Sequence, residues 1–258
     1  MASRLKLSLA LLITGLCCLT GSLFGIITDG EKLTFNVKYG VISAAEATLS
    51  VSSSTLGDRP VWLISSNAKT YSFFDSVFKV RDTVQSWWDK EKLRSLKFSK
   101  RLNEGAYKQY RIHSYNHQDK TSVYQRWNFK KGIFRYKKIT IPENTQDILS
   151  AFYLTRQQEL YPGKTFLIDV TTDGKAYKTA VVVHRRETID SIFGKKQCLV
   201  IEPLLRGEAV FKQSGKILIW VTDDEYKVPL KMTSEITFGR FTALLKSAQK
   251  VPYTIVKK

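Results

Sequence analysis

The stretch Asp147-Ile-Leu-Ser-Ala-Phe-Tyr-Leu-Thr-Arg156 decides how the rest of the chain is read. Leu149, Phe152 and Tyr153 fall at i, i+3 and i+4, which puts them on one face of a helix. Asp147 places a negative charge at the helix N-terminus and Arg156 a positive one on a later turn, both favourable to the helix dipole. Pro162-Gly163 cannot continue the helix, so it ends by Tyr161. Strand-like patterning lies on both sides, and a lone apolar-faced helix among strands must bury that face against a sheet. The predicted class is mainly β: a large curved antiparallel sheet or clam-like half-barrel, with one short bracing helix near residues 147–160.

Upstream, Leu33, Phe35, Val37 and Tyr39 alternate with polar residues, as in a strand with one face in the core. Gly40 punctuates, and residues 41–51 alternate again, so the two strands form a hairpin. The small side chains of Ala44, Ala45 and Ala47 point to close packing over the second strand. Residues 52–60 read as a loop around Gly57-Asp58, 61–68 as a strand, and 70–77 as a short helical turn or wide loop. Strands then follow at 80–88, 96–102, 107–115, 122–128 and 133–141 in the spacing of a meander. Beyond the helix, Asp173-Gly174 between strands 165–172 and 175–186 is a hairpin signal. Residues 198–204, 209–213, 216–222, 228–238 and 241–250 complete the strands, with Gly239 at a turn or bulge. Ile217–Val221 and Ala180–Val183 are apolar on both faces and need cover on each side. A sheet curling round the helix supplies it, and so does a two-sheet sandwich. With no low-complexity linker or repeat, residues 26–258 are expected to form one domain.

Met1–Gly25 has the three-part pattern of a secretory signal peptide: Arg4 and Lys6, an apolar run from Leu7 to Leu19, then small residues allowing cleavage after Ser22 or Gly25. An uncleaved anchor is the alternative, because Leu7 to Ile27 carries no charge. Export to a periplasm or cell envelope is expected. Cys17 and Cys18 fit a lipid-modification site poorly and leave with the leader. Only Cys198 remains, in an apolar setting that suits a buried thiol better than a nucleophile.

The chain is 258 residues long, 43% hydrophobic and 12% aromatic, enough for a sizeable core, with a formal net charge of +18. Arg4 and Lys6 leave with the leader and no acid does, so +16 remains. Such a surface favours a lipid head group, lipopolysaccharide or an acidic glycan, with peripheral membrane contact; a Lys-rich exterior of a soluble protein is the plainer reading. Residues 107–138 interleave aromatics with Lys and Arg, a mix that in another compartment would suit nucleic acid. Export argues against a nucleic-acid partner, and strand alternation alone also produces the pattern.

No motif for catalysis stands out. His113 and His117 have the spacing of metal ligands on a helix, but they straddle a strand end, and His184 stands apart from other ligand types. No metal or cofactor is expected. Asp75 and Asp82 flank Phe78-Lys-Val-Arg81 and could form an acid–base pair for envelope glycan hydrolysis, with a strand-end ion pair as the plainer alternative. Ser43 and Ser150 lack the glycines of a nucleophile elbow.

Four blocks carry a resemblance: Gly30–Leu49, Phe78–Asp82, Asp147–Arg156, and Ile219–Asp224 through Val228-Pro229 to Leu245. In order and spacing they resemble the exported bacterial family known as domain of unknown function 3108, with Ala45 where that family's glycine is expected. The resemblance implies a β-rich exported domain without a settled activity, similar in architecture to half-barrel carriers of lipids and lipoproteins. The expectation is a non-enzymatic protein whose curved sheet holds a hydrophobic or anionic amphipathic ligand. Trp88, Trp127, Phe152 and Trp220 are the candidate wall residues, and Arg156 the candidate anion contact. The alternative is a structural or interaction protein with a filled core and a basic docking surface.

Overall fold

The computed structural model describes residues 27–204, 214–236 and 239–256. The expected leader and the expected strand at 209–213 lie outside the described residues. Fourteen strands form one antiparallel sheet: β1 (Lys32–Tyr39), β2 (Ile42–Leu56), β3 (Arg59–Thr70), β4 (Arg81–Asp89), β5 (Ser95–Glu104), β6 (Tyr107–Asn116), β7 (Thr121–Asn128), β8 (Ile133–Thr140), β9 (Thr165–Thr172), β10 (Lys175–Ser191), β11 (Gly194–Leu204), β12 (Ser214–Thr222), β13 (Pro229–Ile236) and β14 (Gly239–Gln249). The described helices are α1 (Ser72–Asp75) and α2 (Ile148–Arg156). Neither is long and apolar enough to cross a membrane.

The sheet order is β8-β7-β6-β5-β4-β3-β2-β1-β14-β13-β12-β11-β10-β9. Two meanders are joined where β1 pairs with β14, and the edge strands are β8 and β9. The segment that links these edges carries α2. The sheet curls without closing into a barrel, and the β9–β10 turn reaches across to β5–β8. There Asp173 pairs with Lys100 and Arg111, and Lys137 Nζ donates to the Gly174 carbonyl. Gly174 has φ +76°, and a Cβ there would lie 2.6 Å from the Tyr124 ring. Both the turn and the close approach therefore require glycine.

Two hairpins are longer than the sequence patterns implied. Residues 52–56 continue β2, and only Gly57-Asp58 turns. The serines that resemble a loop sit in register opposite Val61, Trp62 and Leu63, so pairing overrides composition. Likewise β10 and β11 extend to Ser191 and Gly194.

Cover for both faces of β11 and β12 comes from different sources. Leu199, Ile201 and Val221 pack with Val183 and Phe152 on the helix side. Cys198, Val200 and Trp220 face the other way, into a cluster with Leu33, Leu230 and Leu245, against which Tyr253 of the C-terminal segment packs. Burial pushes the Cys198 thiol up to about 12, which removes thiolate character at neutral pH.

Candidate ligand cavity beneath the helix

Helix α2 is fixed at both ends by buried polar groups. At its start, the Asp147 carboxylate accepts from the Leu149 and Ser150 amides while Ser150 Oγ accepts from the Asp147 amide, a complete capping box. The same carboxylate accepts from Ser86 on β4 (2.6 Å) and Ser95 on β5 (2.7 Å), which ties the helix start to the sheet. Asp147 is fully buried, and burial pushes its carboxyl up against the opposing pull of those donors.

At the other end, Arg156 makes a two-pronged ion pair with Glu31, at 2.7 and 2.8 Å, and donates to the Tyr226 carbonyl. Tyr153 Oη also donates to Glu31. Arg156 and Glu31 are 1% and 3% exposed. Burial alone would lower the guanidinium pKa, but Glu31 more than offsets it and the net direction is up. Arg156 is thus a structural cation with its charge spent inside the fold, and no face of it is open to an anionic ligand. The contact was hidden from sequence because Glu31 precedes the first strand, 125 residues away.

Between these pins the helix does not pack tightly. Ile148, Leu149, Ala151 and Phe152 are only partly buried, while Tyr153 is fully buried. The partly buried four line a cavity of about 350 Å³. Its far wall is the sheet: Phe35, Ala47 and Leu49 on β1 and β2, Ala243 and Met232 on β14 and β13, Ile219 and Ile217 on β12, Ile201 on β11, and Val181, Ile168 and Val170 on β10 and β9. Among the described residues Lys231 is the only charged one in the lining, and its ammonium lies 4.2 Å from the centroid of the Trp220 ring. Thr155 and Thr179 supply hydroxyls. Ala47 lies on the cavity wall and also packs against the cluster that holds its register partner Phe35.

The pocket is partly open to solvent, and its volume of about 350 Å³ lies within the range of small-molecule pockets.

Of the residues singled out in the sequence, Phe152 lines this cavity. Trp88 is fully buried with Val51, Ile64 and Tyr153, behind the helix and off the cavity wall. Trp220 is in the cluster on the opposite face of β12, because it neighbours Ile219 and side chains alternate. Trp127 lies on β7, edge-on to Phe134 at 4.9 Å, and borders a separate groove. Bulk alone pointed to the tryptophans, whereas the cavity wall is made of aliphatic and small residues. The signal available was alanine inside otherwise apolar strands, at positions 47 and 243. Asp75 pairs with Arg81 at 2.5 Å and accepts from Thr70; those bonds lower its pKa. Asp82 accepts from the Asn103 amide. The two carboxylates thus serve local bonds, and neither lines the cavity. His113 Nδ1 meets Ser122 Oγ and its Nε2 accepts from the Gly174 amide, whereas His117 Nε2 contacts the Ser95 carbonyl.

Residues 34–246 match the family described as "Protein of unknown function (DUF3108)". The match spans most of the chain, and the chain belongs to that family. Among curated proteins none matches it. Among solved structures it is similar to a beta-barrel-like protein of domain of unknown function DUF1849 from Brucella abortus, with a TM-score of 0.53, 10% identity, and 87% of this chain and 100% of that one covered. A hypothetical protein from Chlamydia trachomatis (TM-score 0.36, 6% identity, 89% and 93% covered) and a protein with a YmcC-like fold from Bacteroides fragilis (TM-score 0.33, 9% identity, 89% and 100% covered) are more distant. The first of these likenesses is one of fold alone.

Proposed function

We propose that the protein is a non-enzymatic, exported binder of a hydrophobic or amphipathic molecule, whose apolar part occupies the cavity beneath α2. One observation carries the reading: a helix held rigidly at both ends leaves an apolar void between itself and the sheet. Leu149 and Phe152 pack against sheet residues on one side and still leave apolar surface on the cavity on the other. Export rests on the charged, apolar and small-residue sequence of Met1–Gly25.

Peripheral contact with a membrane belongs to the same reading. Val41 in the β1–β2 turn is 91% exposed, and Phe73 and Val77 in and after α1 are 77% and 78% exposed. The Tyr71 amide donates to the Ala44 carbonyl, so these apolar tips lie at one end of the sheet. Exposed apolar patches of this kind mark interaction sites.

The test is native mass spectrometry of protein purified from the envelope of its own cells. A mass excess that disappears on organic extraction is expected, with a lipid or other amphiphile in the extract. Protein of bare polypeptide mass under gentle conditions would instead support the structural role with a basic docking surface.

A further inference from the structure

Strand register places four cations in one unbroken row. Lys100 on β5 is opposite Arg111 on β6, Arg111 opposite Arg126 on β7, and Arg126 opposite Arg135 on β8. Directly opposed side chains share a face, and like charges so placed repel. One carboxylate answers them. Asp173, from the β9–β10 turn, lies 3.4 Å from Lys100 and also pairs with Arg111. The next acid along β5, Glu104, is engaged with Asp82. Among the described residues no carboxylate lies within ion-pair distance of Arg126 or Arg135, and both are exposed.

Arg111, Arg126 and Arg135 line a groove of about 360 Å³ together with Gln109. Gln109 is 8% exposed; its amide nitrogen donates to Tyr107 Oη at 2.6 Å and its amide oxygen has no partner. A hydroxyl both donates and accepts, so with the amide flipped and Tyr107 donating to the oxygen, the NH₂ would be the end left to a ligand. Arg111 Nε is likewise buried without a partner. The groove therefore offers the unneutralised guanidinium groups of Arg126 and Arg135, with no carboxylate among its described lining residues.

We propose that this arginine ladder is a binding site for a phosphate-type oxyanion, carried either by a soluble phosphate ester or by the head group of an anionic phospholipid. Guanidinium forks match the geometry of phosphate oxygens, and several of them converge here. The bound anion removes the repulsion that the bare row carries. The site stands apart from the cavity. The same row runs on through Val84 and Ser66 to Leu49 at the cavity wall, but Ser66 and Arg126 are four strands apart, about 19 Å at ordinary strand spacing.

The experiment is titration calorimetry of the purified protein with inorganic pyrophosphate, alongside flotation with vesicles of phosphatidylcholine alone or with phosphatidylglycerol. Three proteins are compared: wild type, Arg126→Gln/Arg135→Gln, and Lys92→Gln/Lys195→Gln, which removes two exposed charges elsewhere. Pyrophosphate affinity is expected to fall by about tenfold or more in the arginine variant, since each lost bond is charge-assisted. It should hold in the lysine variant. The arginine variant should melt no lower than wild type, because repulsion is relieved. Vesicle binding that needs both phosphatidylglycerol and the arginines assigns the lipid head group, and pyrophosphate binding without it assigns the soluble ester. Failure of wild type to bind either probe overturns the proposal, as does an equal loss in the lysine variant.

Discussion

The two faces of β11 and β12 carry similar aliphatic sequence and end in opposite states. On one face, Cys198, Val200 and Trp220 meet Leu33, Phe193, Leu245 and Tyr253 in a filled cluster. On the other, Ile201 and Ile219 look across at α2 over an unfilled cavity. The difference lies in what covers each face. The filled side is met by rings, with Phe193 and Tyr253 in tilted contact at 5.0 Å between centroids. The cavity side is met by Ala151 and Phe152 of the helix, and its wall is thinned by Ala47 and Ala243. The helix cannot sink to close the gap, because Asp147 and Arg156 hold its ends to groups in fixed positions. Buried polar bonds thus fix a spacing that apolar packing alone would collapse.

The largest effect should come from cutting one of those pins. Arg156→Ala leaves Glu31 buried without its cation and should cost about 3–5 kcal/mol in urea unfolding. Variant protein that remains folded should still retain an apolar ligand. Loss of ligand without loss of stability would contradict the structural role assigned to Arg156.

The comparison of the faces sharpens with paired truncations. Trp220→Ala in the filled cluster should cost about 3–5 kcal/mol. Phe152→Ala removes a side chain that already faces a void, so its cost should be nearer 1–2 kcal/mol, mainly the lost transfer term. Bound ligand should add to the Phe152 difference, and delipidation should shrink it. Equal costs at both positions, indifferent to delipidation, would mean that both faces are filled.

The β9–β10 turn, which docks on β5–β8, should respond to acid. His113 is 1% exposed and its neutral Nε2 accepts from the Gly174 amide. Burial, with Lys100 and Arg111 adding to it and Asp173 opposing, holds its pKa down to about 4 against an ordinary 6.5. The unfolded chain therefore takes up the proton first as pH falls. The His113 contribution is complete above about pH 6.5 and is lost on going down to pH 4, about 3 kcal/mol at about 1.36 kcal/mol per unit. Between pH 6.5 and 4 the unfolding free energy of wild type should fall, and His113→Gln should flatten that part of the pH dependence. A wild-type slope in that window unchanged by His113→Gln would contradict it.

The smallest stability effect belongs to filling the void. Ala47→Leu adds methylenes to open space and should change stability by less than about 1 kcal/mol, in either direction. Its effect on ligand uptake should be much larger than on folding. A severe destabilisation, by overpacking, would show that the wall has no room.

Much of the sheet was legible in the sequence, because alternation, Asp173-Gly174 and the 147–156 helix are local signals read over a few residues. The long β2–β3 hairpin was partly missed, since Ser52–Thr55 resemble a loop until their partners on β3 are known. The site was less legible. Its described walls come from nine strands and one helix, so no window of sequence contains it. Arg156 read as a charge available for binding because its partner lies in a distant segment. The tryptophans attracted attention by size, whereas a cavity is defined by where large side chains are missing. The arginine ladder was visible only as interleaved Lys, Arg and aromatics, and register turned three of those residues into neighbours.

The central claim is that the space between α2 and the sheet takes up an apolar molecule, and it is tested most directly by titrating delipidated protein with a fluorescent fatty acid. Wild type and Ala47→Leu/Ala243→Leu are compared, with circular dichroism confirming that both are folded. The account predicts saturable uptake of the probe at one site by wild type, and its loss in the variant at unchanged secondary structure. Equal uptake by both folded proteins, or none by either, would contradict it.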